Sequence, residues 1–121
     1  MEIELSEKKG ILIFRLRGSI ISPGVKEVSE TVEEALAVSS SPPRLLFDFK
    51  EVVGIDSSGL GALMSIYSRI HPHRGKMAVI NVNKRVKNLI VMARLITVFK
   101  SFESEEAAVT ALLQHPRQDE T

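Results

Sequence analysis

Ile3 and Leu5 alternate with Glu2 and Glu4, the two-residue period of a half-buried strand. Lys8-Lys9-Gly10 reads as a turn, and Ile11 to Arg17, rich in branched and aromatic side chains, as a second strand. The chain is therefore expected to open with an antiparallel hairpin. Gly18 to Gly24, with Ser19, Ser22 and Pro23, breaks this pattern and is expected to lead into a helix. In that helix Val25, Val28, Val32, Ala35 and Leu36 recur at helical spacing, with Glu27, Glu30, Glu33 and Glu34 on the other side. Ser39 to Pro43 ends it, because two prolines cannot continue a helix. That loop is too short to link two domains.

Leu45 to Phe49 is a nearly continuous apolar run, the pattern of a strand covered on both faces. Val52 to Ile55 is read as a loop leading into Asp56-Ser57-Ser58-Gly59-Leu60-Gly61. Beyond it Leu60, Leu63, Met64, Tyr67 and Ile70 mark one face of a helix that Pro72 and Gly75 terminate. Met77 to Val82 predicts a strand, Val86, Leu89, Ile90 and Ala93 a helix, and Val98 to Phe102 a last strand. Glu105 and Glu106 then precede Ala108, Val109, Leu112 and Leu113, an amphipathic helix with acids in its first turn. From Gln114 the chain turns polar, so one domain over 1–115 is expected to end in a frayed tail over 116–121. The order β-β-α-β-α-β-α-β-α predicts an α/β fold. Its mixed sheet opens with the antiparallel hairpin, continues with parallel strands joined by right-handed crossovers, and is flanked by about four helices.

Composition narrows the class. At 121 residues, 44% hydrophobic and 26% charged, the chain can bury a core. Apolar stretches such as Gly10 to Phe14 and Leu89 to Ala93 are five residues, against the ~20 that a membrane-spanning helix needs. Glu2 and Glu4 stand where a secretory signal would carry basic residues, so a cytoplasmic location is expected. No cysteine is present, which excludes disulfides and thiolate chemistry.

The net charge of +1 hides a segregation. Between Ser57 and Phe102 there is no carboxylate, while Arg69, Arg74, Lys76, Lys84, Arg85, Lys87, Arg94 and Lys100 supply eight positive charges. Lys84, Lys87 and Arg94 share one helical face, which fits a solvated surface or the docking of an acidic partner. Aromatic residues make up only 5% and no reader motif is present, so direct nucleic-acid binding is not expected. His71-Pro72-His73 could share a metal only with His115, and a loop ending a helix explains the pair better, so no metal site is expected. Ser6-Glu7-Lys8-Lys9 spells S-x-x-K at a strand end, away from any helix start, and Gly59-x-Gly61 lacks the phosphate-loop pattern.

The hexapeptide Asp56 to Gly61 carries the candidate chemistry. It sits between a buried strand and an amphipathic helix, where ligands of open α/β sheets are met. Asp56 or Ser57 can cap the helix, Ser58 would stand exposed in its first turn, and Gly59 and Gly61 remove side chains so that a partner can come close. A phosphoryl group on Ser58 would add about −1.5 to −2 charges beside the helix's positive end, favoured there by up to ~1 kcal/mol. The Asp56 carboxylate opposes it, as would a partner packed dry against the turn. Such a group is tolerated in the free protein and disruptive in a complex. Taken by itself, the same composition also serves as an ordinary helix cap with two packing glycines.

In its context the pattern resembles a STAS domain, and in particular the small single-domain anti-sigma factor antagonists of bacteria. The resemblance runs from Ile3 to Leu113. It is carried by Leu45-Leu46-Phe47-Asp48-Phe49, Val52-Val53-Gly54-Ile55, the hexapeptide, Gly75…Asn81-Val82, Val86…Leu89, and Phe99…Phe102-Glu103-Ser104-Glu105-Glu106-Ala107. It implies that Ser58 is a phosphoacceptor and that the partner is an anti-sigma factor with serine kinase activity, using ATP and Mg²⁺. Unphosphorylated antagonist would bind that factor and free the sigma factor; phosphorylated antagonist would let go, and a serine phosphatase would reset the cycle. Partner contacts are expected at Asp56, Ser57, Gly59, Leu60 and Gly61. They are also expected at the loop Ser19, Ile20, Ile21 and Ser22, which the resemblance places beside the phosphoacceptor turn. The family usually shows Gly-x-Ile/Leu-Asp in that loop, and here Ile21 stands in place of the acid. The protein would be a substrate and a ligand, with no catalysis, cofactor or membrane partner of its own. Two other readings stand beside this one. The first is a STAS scaffold outside sigma control, in a signalling complex or a lipid-transport system. The second is a small enzyme or nucleotide-binding domain, against which no base lies near Ser58 in sequence and no nucleotide fingerprint exists.

Overall fold

The computed structural model describes residues 1–39, 42–95 and 98–114. His115, the expected tail and two serines of the Ser39–Pro43 loop lie outside them. The elements are β1 (Glu2–Lys8), β2 (Ile11–Ile20), α1 (Val25–Ala37), β3 (Arg44–Ile55), α2 (Ser57–Ile70), a single turn of 3-10 helix (His71–His73), β4 (Lys76–Ile80), α3 (Lys84–Met92), β5 (Lys100–Phe102) and α4 (Glu105–Leu113). The strands lie side by side in the order β1-β2-β3-β4-β5, antiparallel between β1 and β2 and parallel thereafter. The opening hairpin closes through Lys9 and Gly10 with φ of 53° and 81°. Two consecutive positive φ values match the twist of the flanking strands, and Gly10 adopts its value without a side-chain penalty.

Strand alternation sends neighbouring residues to opposite faces. Leu45 and Phe47 join one core cluster and Leu46 the other, so β3 is covered on both sides, as its apolar run predicts. The larger cluster holds Val28, Val32 and Ala35 of α1, Leu63, Ile66 and Ile70 of α2, and Val86 and Ile90 of α3. Phe14 and Phe47 stack at its centre with their rings 5.1 Å apart. On the other face, among the described residues, α4 alone sets Ala108, Val109 and Leu112 over Ile11, Ile13, Leu46, Ala78 and Ile80. Polar ties hold it there: Arg15 to Glu105 at 2.9 Å, Arg44 Nε to the Leu112 carbonyl at 2.9 Å, and Lys76 Nζ to the Gln114 carbonyl. Beyond α4 this face continues as charged pairs, with Arg15 reaching Ser6 at 3.0 Å and Asp48 at 3.8 Å. Next to them Arg17 meets Glu51 at 2.8 Å. The hydrogen bond and charge of Glu51 hold the Arg17 guanidinium above its usual pKa.

The expected element boundaries and the expected inner face of α2 need correction. β2 does not break at Gly18 but runs to Ile20, and Val52–Ile55 is not a loop but the end of β3. The two segments pair with each other, Gly18 with Val52, Ser19 with Gly54 and Ile20 with Ile55, through ladder irregularities that absorb the glycines. β4 stops at Ile80 because Asn81 turns the chain with φ 57°, and β5 starts at Lys100, two residues after Val98. The inward line of α2 is Gly59, Ala62, Leu63, Ile66 and Ile70, leaving Leu60, Met64 and Tyr67 half-buried at its border.

Candidate functional site

The end of β3 and the start of α2 meet at Asp56, whose extended backbone (φ −112°, ψ −174°) hands the chain from strand to helix. Its Oδ1 accepts from the Gly59 N–H at 2.9 Å, so Asp56 is the cap and Ser57 opens the helix. The Asp56 N–H donates to the Ile20 carbonyl at 3.4 Å, tying the turn to the last residue of β2. These bonds hold Ser57 and Ser58 at the first two helical positions, both exposed. The Ser58 hydroxyl makes no hydrogen bond among the described residues. It stands beside backbone N–H groups at the positive end of a 14-residue helix.

The two glycines, expected alike to open the outer surface, do different things. A Cβ at Gly61 would meet nothing within 4 Å, and that position is exposed. A Cβ at Gly59 would stand 2.2 Å from the Ile20 carbonyl oxygen and 2.5 Å from Ile55 Cγ1. Gly59 is buried and lets α2 close onto the ends of β2 and β3, so the expectation of a partner contact there is corrected. Ile20 is corrected likewise: it is 0% exposed and its side chain belongs to the core, although its carbonyl organises the turn. Ile21, by contrast, is exposed at 42%, Ser22 is exposed and Ser19 half-exposed. Asp56, Ser57, Ser58 and Gly61 complete an accessible surface, with Leu60 at its edge.

A depression of about 530 Å³ opens beside the β2–α1 loop, lined by Ser19, Ile21 and Ser22 together with Met1 and the α1 residues Lys26 and Glu27. Met1 enters this surface through a contact that no local pattern could announce. Val53, 66% exposed three residues before Asp56, is a second accessible apolar group that the loop reading left unmarked. Strict alternation from Leu45, Phe47 and Phe49 would have turned it inward; the ladder shift between Arg15 and Arg17 puts Val52 inside and Val53 outside. No cluster of three or more His, Asp or Glu suited to a metal occurs among the described residues, and His71 stacks on Tyr67 at 5.1 Å. Among the same residues no helix is long and apolar enough to cross a membrane.

The family model for the STAS domain matches residues 2–108. An anti-sigma F factor antagonist from Paenibacillus polymyxa is 30% identical over 112 residues, covering 93% of this chain and 95% of that protein. Solved structures share the fold at lower identity. An anti-sigma factor antagonist from Mycobacterium paratuberculosis superposes with a TM-score of 0.82 at 19% identity, over 93% of this chain and 94% of that one. The anti-sigma factor antagonist SpoIIAA, in its unphosphorylated form, gives 0.80 at 16% identity over 96% and 100%. Its phosphorylated form gives 0.71 at the same identity, over 92% and 99%.

Proposed function

The chain belongs to the STAS domain family, and from that premise we propose that it is an anti-sigma factor antagonist, a binding module controlled by phosphorylation of Ser58. The observation that carries this reading is the position of Ser58: exposed, without a hydrogen-bond partner, and fixed by the Asp56 cap at a helix start. With no base bonded to it, the hydroxyl is suited to being acted on rather than to acting. An anti-sigma factor with kinase activity would supply the base and Mg·ATP. Ser58 Oγ attacks the γ-phosphorus, ADP leaves, and the hydroxyl proton passes to the kinase. In the unmodified protein the exposed residues Ser57, Ser58 and Gly61, with Ile21 and Ser22 of the neighbouring loop, form the docking surface. The phosphate adds about two negative charges that the helix end tolerates. A partner packed against the turn would have to desolvate them, and it leaves. A serine phosphatase restores the hydroxyl.

Supporting observations are the 30% identical anti-sigma F factor antagonist and the existence of SpoIIAA in two phosphorylation states. The test incubates the purified protein with candidate anti-sigma kinases and Mg·ATP. Phosphate is expected on Ser58 and absent from Ser58→Ala. Ser58→Asp is expected to weaken kinase binding while leaving the melting temperature within a few degrees, because the added charge sits at an exposed helix start. Phosphate on another residue, or none from any candidate kinase, overturns the reading.

A further inference from the structure

Charges are sorted in this fold. Cations on β1, β2, α1 and α2 meet acids: Lys8 and Arg15 pair with Glu105, Arg17 with Glu51, Lys26 with Glu30 and Arg69 with Glu33. On α3 the pattern changes. Lys84, Arg85 and Lys87 are exposed, and none forms an ion pair among the described residues. The whole segment Ser57 to Phe102 contains no carboxylate that could neutralise them. Helical spacing places Lys84, Lys87, Asn88 and Val91 in one line, with Arg85 and Met92 beside it, opposite the buried Val86 and Ile90. Val91 and Met92 are 49% and 78% exposed, so the outward face joins three cations to an apolar end.

This face opens at the same edge as the phosphorylation turn. β3 and β4 are parallel neighbours, so α2 and α3 both start at the carboxyl ends of their strands, and both pack into the larger core cluster. Asn83 caps α3 by accepting from the Val86 N–H at 2.8 Å, and its Nδ2 donates to the Val52 carbonyl at 3.1 Å. The helix is thereby anchored to the strand that delivers Asp56.

We propose that the outward face of α3 docks an acidic, apolar-edged surface on the same partner that takes the Ser58 turn, a proposal that rests on the reading above. Charge complementarity selects that occupant: unpaired cations on a rigid helix, beside a binding turn and without acids among them, draw an acidic surface and fix its register. The arrangement also couples α3 to the switch. A phosphate on Ser58 brings about two negative charges to the edge where α3 begins, and so weakens the attraction as well as blocking the turn.

The test measures association rates with a purified anti-sigma kinase that binds the wild-type protein, at low and at physiological ionic strength. The variant K84E/R85E/K87E reverses the face, and acids in a first helical turn leave the fold intact, checked by melting. Lys9→Glu, in the β1–β2 turn at the opposite end of β2, is the control. The wild-type rate should fall with salt; the triple variant should associate roughly tenfold more slowly at low salt and lose that dependence, while the control stays unchanged. A triple variant associating within about twofold of wild type, while Ser58→Asp still removes binding, overturns the role of α3 and leaves the switch standing. Failure of the wild-type protein to bind any candidate kinase overturns both. If the reversal instead abolishes binding to phosphatidylserine vesicles, or self-association in sedimentation, with the kinase rate unaltered, the face belongs to lipid or to a second copy and the proposal falls.

Discussion

Exchanging Gly59 and Gly61 in turn for alanine tests the geometry that presents Ser58. The new methyl at position 59 would lie 2.2 Å from the Ile20 carbonyl oxygen, 2.5 Å from Ile55 Cγ1 and 3.0 Å from Ile20 Cγ2. Ordinary contact begins near 3.4 Å, so the first turn of α2 must retreat by about 1 Å from β2 and β3. That retreat lengthens the Asp56 N–H to Ile20 carbonyl bond, already 3.4 Å. Overpacking of this kind costs ~1–3 kcal/mol, and removing a helical glycine returns at most ~1 kcal/mol. A net loss of about 1–2 kcal/mol is expected for Gly59→Ala, which for a chain of this size lowers the melting temperature by roughly 5 °C or more. At Gly61 nothing lies within 4 Å, so the same exchange brings only the helix-propensity gain and should raise the melting temperature by a few degrees. Thermal and urea unfolding of the two variants in parallel reads the difference. Gly59→Ala melting at or above wild type, or both variants moving in the same direction, would refute this packing role for Gly59.

Asp56→Ala removes the side chain that satisfies the Gly59 N–H and should destabilise by about 1 kcal/mol in urea unfolding, whereas Asp56→Asn, an equally good cap, should stay within a few tenths. Arg15 and Glu105, partly exposed partners at 2.9 Å, should show a coupling below ~1 kcal/mol in a double-mutant cycle, shrinking as salt is added.

Much of the architecture is legible in the sequence because each element carries its own period. Val28, Val32 and Ala35 announce the inner face of α1, and the unbroken run Leu45 to Phe49 announces a strand with cover on both sides. The boundaries are less legible. Gly18 and Ser19 have turn chemistry, yet they stay in β2 because the end of β3 offers them a ladder, and pairing between distant segments outweighs local preference. The exposure of Ser58 follows from Asp-Ser-Ser ahead of an amphipathic helix, and so does the cap up to the choice between Asp56 and Ser57, which the structure gives to Asp56. The role of Gly59 does not, since it depends on a carbonyl 39 positions earlier in the chain, at Ile20. The same non-local packing brings Met1 to the β2–α1 loop and withdraws the side chain of Ile20 from any partner.

Unequal cover on the two sides of the sheet has a practical corollary. Three helices share the large cluster, whereas α4 is the one described helix over Ile11, Ile13, Leu46, Ala78 and Ile80, with polar ties at its margins. Detachment of α4 would bare the smaller cluster and leave α2 and α3 seated on the opposite face. A reporter dye carried on the outward side of α4, at exposed Thr110 for instance, would stand across the sheet from the Ser58 turn. It could follow that breathing while the turn stays clear for whatever comes to bind it.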